Sequence, residues 1–160
     1  MRHTISVWVR NEFGVLSRVV GMFSGRGYNI DSLNVAPTLD EQVSHMTIVT
    51  QGDDETIEQI TKQLHKLIDV VTVRDHTQTE FAGRELALLT VQPAPDSRAE
   101  VFRIAEIFRA KIIDVGPKGF VIELTGSQDK IDAITRLLEP LRLANRVRTG
   151  PLAVARGDTR

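Results

Sequence analysis

The order of hydrophobic periods along the chain predicts an α+β protein. Two ferredoxin-like βαββαβ modules follow one another, each an antiparallel sheet with its helices on one face. Three observations predict it. Around residues 11–18 the apolar period switches from two, over Ile5, Val7 and Val9, to a helical one, over Leu16, Val19, Val20 and Phe23. The same strand–helix–strand–strand–helix–strand order then occurs twice. Between the two runs, His76 to Gly83 is mostly polar and has no period.

The first strand carries Ile5, Val7 and Val9 on one face and Ser6, Trp8 and Arg10 on the other. Trp8 thus lies on the face away from the helices, either as a contact for another surface or packed under a local loop. The link to the first helix is Asn11 to Gly14, with Gly14 where the helix begins. No Ser, Thr, Asp or Asn directly precedes Val15, although Asn11 can reach part of the first turn. Two readings of this loop stand side by side. One is a tight turn with water on its N–H groups; the other is a site where those groups and the helix dipole hold a carboxylate.

Gly25-Arg26-Gly27 ends the helix, with Gly27 as a left-handed cap. Tyr28–Ala36 and Val43–Gln51 are strands joined by the turn 37–41, with Met46 and Ile48 inward on the second. Acidic residues 53–55 open a helix striped by Ile57, Ile60, Thr61, Leu64, Leu67 and Ile68, and 70–73 is the fourth strand. The second module reads as a strand at 85–92, a loop ending in Ser97 as a helix cap, and a helix faced by Val101, Ile104, Ala105 and Phe108. A hairpin of 112–115 and 120–124 follows. Then come a helix capped at Ser127 with Ile131, Ile134, Leu138 and Leu141 inward, and a short strand around Val147. The boundaries expected are a first domain at 1–77, a linker at 78–83, a second domain at 84–150 and an unstructured tail at 151–160.

Composition excludes several classes. Twenty basic residues face 21 acidic ones, which argues against a general nucleic-acid or anionic-membrane binder. There is no cysteine, hence no disulfide and no thiolate metal site. No signal peptide and no membrane-length apolar run is present, so a soluble, cytoplasmic chain is expected. His3, His45, His65 and His76 lack metal-ligand spacing. Residues 53–55 are better explained as a helix N-terminus than as a magnesium cluster. No Ser/His/Asp arrangement and no phosphate loop stands out, so no catalytic and no metal residues are expected.

Asn11-Glu12-Phe13-Gly14-Val15-Leu16-Ser17-Arg18, followed by Arg26-Gly27-Tyr28-Asn29-Ile30-Asp31-Ser32-Leu33, resembles the opening of an ACT domain. This version resembles the small regulatory subunits of acetolactate synthase (acetohydroxyacid synthase). The resemblance continues through residues 35–38, 44–48 and 62–70 and reaches 106–115 in the second module. It implies a chain without an active site of its own and without its own cofactor. Its partners would be a second copy, paired through the ACT domains, and a large catalytic subunit. That subunit would carry thiamine diphosphate, Mg2+ and FAD, and would condense pyruvate with a 2-oxo acid in branched-chain amino-acid synthesis. The small subunit would raise this activity and confer feedback inhibition by a branched-chain amino acid, commonly valine.

The residues fit such an effector. Its carboxylate needs donors, which the helix start at Gly14, Val15 and Leu16 can give. Its ammonium needs acceptors, for which the Asn11 and Asn29 side chains are candidates. Its isopropyl group needs a small apolar pocket, for which Val15, Leu16, Ile30 and Val35 are candidates. By analogy with the family, Asn11 to Leu16 come from one chain and Asn29-Ile30 from its partner. The local alternative for Asn29 is a strand-end hydrogen bond. A free-standing ACT-type amino-acid sensor acting on a different partner is the alternative function.

Overall fold

The computed structural model of the chain describes residues 1–157. The elements are β1 (Arg2–Arg10), α1 (Val15–Gly25), β2 (Ile30–Pro37), β3 (Val43–Gln51), α2 (Asp54–His65) and β4 (Val70–Asp75) in the first half. β5 (Phe81–Val91), α3 (Arg98–Ile107), β6 (Lys111–Val115), β7 (Phe120–Gly126), α4 (Gln128–Leu138), β8 (Leu143–Arg148) and β9 (Leu152–Ala155) follow. The strands form two antiparallel sheets in the same arrangement, β2-β3-β1-β4 and β6-β7-β5-β8, with β9 also paired to β5. The tandem βαββαβ fold class expected from the sequence is therefore present. Among the described residues, no helix is long and apolar enough to cross a membrane.

The chain divides into two compact units, Gly83–Pro151 and Met1–Ala82 with residues 152–157. In the first unit, Ile5, Val7, Val9, Met46 and Ile48 on the sheet meet Val15, Val19, Phe23, Ile57, Ile60 and Leu64 on the helices. Helix α1 ends in a Schellman motif: the Tyr28 N–H donates to the Phe23 carbonyl at 2.9 Å and Gly27 N–H to the Ser24 carbonyl at 3.2 Å. Gly27 has φ +72°, and the Tyr28 ring meets the Phe23 ring edge-on at 6.4 Å, the hydrophobic contact such caps carry. This stop aims β2 away from α1. Asp53 caps α2 by accepting from the Thr56 N–H at 2.8 Å.

In the second unit, Ala87, Leu89, Val91, Phe120, Ile122 and Leu124 pack under Val101, Ile104, Ile131, Ile134 and Leu138. Glu85 is buried there and accepts from Arg148, which also donates to Asp132. Burial works against the Arg148 charge, but the bonds to Glu85 and Asp132 outweigh it and hold its pKa above the ordinary value.

Five expectations need correction. Leu16 is 41 % exposed, while Val15, Val19 and Phe23 are buried, so Val15 rather than Leu16 leads the inward stripe of α1, and Val19 and Phe23 hold their expected places on it. The left-handed Gly14 starts the helix at Val15 and sets that rotation. Ile68 is exposed because α2 stops at His65, with Lys66 as its cap, and the following loop turns Ile68 out. Ser97 makes no side-chain cap bond; it closes a short 3-10 turn at Pro95–Ser97, and its hydroxyl donates to Asp96. The polar linker is shorter than expected, because β5 begins at Phe81 and His76 is buried. The expected tail contains β9, whose Ala153 is buried; residues 158–160 lie outside the described residues.

The face of the first sheet away from its helices is also less bare than the topology suggests. Ser6, Thr47 and Val49 on it are buried. Trp8 is half-buried, its ring 4.8 Å from that of His45, beside residues 153–155.

Candidate functional site

Gly14 has φ +79°, a conformation glycine adopts without the steric penalty a Cβ brings. It stands at the cap position of α1, and no side chain caps the helix. The positive end of the helix dipole and the first-turn N–H groups therefore meet the surface unmatched by any side-chain acceptor. Val15 is 2 % exposed, so its side chain belongs to the core and only its backbone can serve the loop. Leu16 and Val35 expose apolar surface, and Ile30 is partly buried against the core.

Asn11 does not cap the turn. Its Nδ2 donates to the Glu41 carbonyl at 2.9 Å, and its backbone N–H to the Gln42 carbonyl at 2.8 Å, which tie the loop to the β2–β3 turn. The amide oxygen of the same side chain is then its acceptor. Asn29 makes a local bond, Nδ2 to Asp31 Oδ1 at 2.8 Å, while its carbonyl accepts from the Thr50 hydroxyl at 2.6 Å.

The structure does not bring the two halves together within one chain. Gly14 precedes α1 and Asn29 follows it. An 11-residue helix is about 16 Å long. That is far more than one amino acid spans.

One feature beside the loop escaped the sequence reading, a paired cation against Gly14. Arg18 Nε donates to Asp69 Oδ2 at 2.7 Å, and Asp69 is buried. A Cβ built on Gly14 would lie 3.0 Å from Arg18 Nη1, so the guanidinium sits directly against the glycine. The spacing of four from Gly14 places Arg18 one turn up the helix from the glycine. The Asp69 partner lies 51 residues away and leaves no local sign. Among the described residues no group of three or more His, Cys, Asp or Glu side chains is arranged to hold a metal.

A βαββαβ unit with an uncapped, glycine-led first helix, followed by a second unit of the same topology, is the build of a tandem ACT-type regulatory protein. Residues 5–72 match the "AHAS small subunit-like ACT domain" family and residues 84–157 match the family "Small subunit of acetolactate synthase". The chain is 49 % identical over 159 residues to the acetolactate synthase small subunit of Haemophilus influenzae, covering 99 % of this chain and 98 % of that one. It is 46 % identical over 159 residues to the isozyme 3 small subunit of Escherichia coli, with coverage of 99 % and 98 %. The crystal structure of the acetolactate synthase small subunit from Thermotoga maritima superposes with a TM-score of 0.87 at 39 % identity, over 98 % of each chain. The chain belongs to the acetolactate synthase small-subunit family, a family of regulatory subunits.

Proposed function

We propose that two copies of this chain pair through their first units and bind a branched-chain amino acid, L-valine in the first instance, in sites shared between them. One copy supplies Asn11 and the α1 start at Gly14, Val15 and Leu16; the other supplies Asn29 and Ile30. The observation that carries the reading is the placement of these two groups at opposite ends of one helix, where only a second copy can close both on one ligand. The α1 N–H groups and the Arg18 guanidinium face the effector carboxylate. The Asn11 and Asn29 amide oxygens face its ammonium, and exposed Leu16 and Val35 its side chain. Val15 contributes through its backbone alone.

The pair docks on the catalytic subunit of acetolactate synthase and raises its activity in the cytoplasm. The chemistry, with thiamine diphosphate, Mg2+ and FAD, belongs to that partner, and this chain has no catalytic site of its own. The effector ties two first units together and shifts the pair toward an arrangement that no longer activates. A coupling free energy of about 1–3 kcal/mol suffices for such control.

Calorimetric titration of the full chain with L-valine, and with D-valine as control, tests this reading, followed by inhibition curves with the catalytic subunit. Stereoselective binding of two molecules per dimer, with matching inhibition, is expected. Binding without any effect on the catalytic subunit would favour a free-standing sensor. No binding of valine, leucine or isoleucine with or without the catalytic subunit would overturn the site.

A further inference from the structure

The strand that covers part of the second face of the first sheet comes from the far end of the sequence. Strand β9 is four residues long. Its Ala153 is buried beside Ser6 of β1, and the Ser6 hydroxyl donates to the Ala153 carbonyl at 3.5 Å. Ser6 Oγ also lies 2.9 Å from Nε2 of His76, which follows β4 and is 1 % exposed.

One assignment of hydrogens satisfies both of these contacts. A serine hydroxyl has one hydrogen. With it given to Ala153, the Ser6 oxygen accepts from His76, so Nε2 carries the imidazole hydrogen. Nδ1 of the neutral ring is then bare, and it is buried with no hydrogen-bond partner among the described residues. A second proton would have to go on Nδ1, creating a buried N–H without an acceptor and a charge without a solvent shell. Beside His76, a cavity of about 230 Å3 is lined by Trp8, His45, Arg74 and residues 153–155. It offers room for the segment to move.

We propose that His76 is a proton-sensitive pin: neutral, it holds β9 on the sheet through Ser6, and protonated, it releases it. The groups that face the ring act in both directions. Burial is the largest influence and lowers the pKa of His76 below the ordinary 6.5; Arg74 and His45 add to the lowering, and Asp75 opposes it. Phe81, whose ring lies 5.2 Å away, and Ala153 bring no charge. The seated state binds fewer protons than the released one. Seating is therefore strongest above the ordinary histidine value and weakens as the pH falls through it. For a ring neutral when seated and ordinary when free, the seating equilibrium falls about tenfold between pH 7.5 and pH 5.5.

Hydrogen–deuterium exchange on the full chain reads this directly, with amides of β7, in the unit that holds no histidine, as the internal standard and intrinsic rates corrected for pH. The expected result is about a tenfold loss of protection in residues 152–156 from pH 7.5 to 5.5, with β7 unchanged. Unchanged protection of β9 in the wild type overturns the proposal without recourse to any variant. His76→Gln keeps an N–H donor toward Ser6 but does not titrate, so its β9 protection is expected to be the same at both pH values. His45→Gln is expected to keep the pH dependence. The reverse pattern, with His76→Gln still responding and His45→Gln silent, would assign the proton to His45 and refute the pin. The chain's single tryptophan, Trp8, lines the same cavity, and its fluorescence is expected to shift with the same midpoint.

Discussion

Replacing Gly14 with aspartate puts a carboxylate where the proposed effector carboxylate sits. Two costs can be worked separately. The first is structural: Gly14 holds φ +79°, and a residue with a Cβ there costs about 1–2 kcal/mol. The new Cβ would meet Arg18 Nη1 at 3.0 Å, the far end of a flexible side chain that can shift by a few tenths of an ångström. The fold therefore survives. The second cost falls on binding. Two like charges about 4 Å apart near a surface repel by about 4 kcal/mol, which salt and solvent reduce. The new carboxylate also satisfies the helix end, a contact worth about 0.3–1 kcal/mol to the effector.

A loss of about 2 kcal/mol, roughly 30-fold in L-valine affinity, is the expected result of Gly14→Asp. Activation of the catalytic subunit in the absence of valine is expected to persist. Gly14→Asn imposes the same backbone conformation and nearly the same size without the charge, and is expected to lose less. Calorimetry and inhibition curves measure both variants. Valine affinity of Gly14→Asp within threefold of wild type, with the variant folded, would refute the placement of the carboxylate at the α1 start.

Three further outcomes are expected of the fold. Arg148→Met strips buried Glu85 of its countercharge and should cost about 3–5 kcal/mol in urea unfolding, whereas Glu85→Gln with Arg148→Met should cost much less than the sum of the single changes; additive costs would show the pair to be uncoupled. Gly119→Ala would drive a Cβ to 2.3 Å from the Val91 carbonyl oxygen, and an overpacking cost of about 1–3 kcal/mol is expected from the same measurement; a variant as stable as wild type would contradict the close approach. Burial lowers the pKa of both His45 and His76, so the folded chain binds fewer protons than the unfolded one just below pH 6.5; their contribution is present above that value and lost as the pH falls through it, and the urea midpoint should be lower at pH 5.5 than at 7.5 by an amount His45→Gln with His76→Gln reduces.

The periods of the two modules were legible because each element has one buried face. Ile5, Val7 and Val9 alternate, and Ile131, Ile134 and Leu138 recur at helical spacing, so local pattern and tertiary environment agree. What was not legible is set by partners remote in sequence. Leu152 to Ala155 is too short to show a period, and its place is decided by β5 and by Ser6, 147 residues from Ala153. His76 lies in a polar stretch that reads as linker, yet Ser6 and Phe81 enclose it. Leu16 falls outside the buried stripe because the helical phase depends on the residue at which Gly14 lets the helix begin.

The candidate site divides along the same line. The loop from Asn11 to Leu16 could be read because its determinants are local: a glycine at the cap and no capping side chain ahead of Val15. The Arg18–Asp69 pair could not, although it decides how much the loop can do. Without Asp69 the guanidinium would be a long, free side chain, and ordering it on a ligand would cost rotamer entropy. Bonded to a buried carboxylate at 2.7 Å, it is already placed against Gly14. The same Asp69 accepts the Arg10 N–H at 2.9 Å through its carbonyl, which joins the start of β4 to the end of β1 and the start of α1. A charge arriving at the α1 start thus meets a cation bonded to Asp69, whose own carbonyl holds the end of β1. In the proposed pair, this is the route by which an effector held at one helix end would move strands rather than a single side chain.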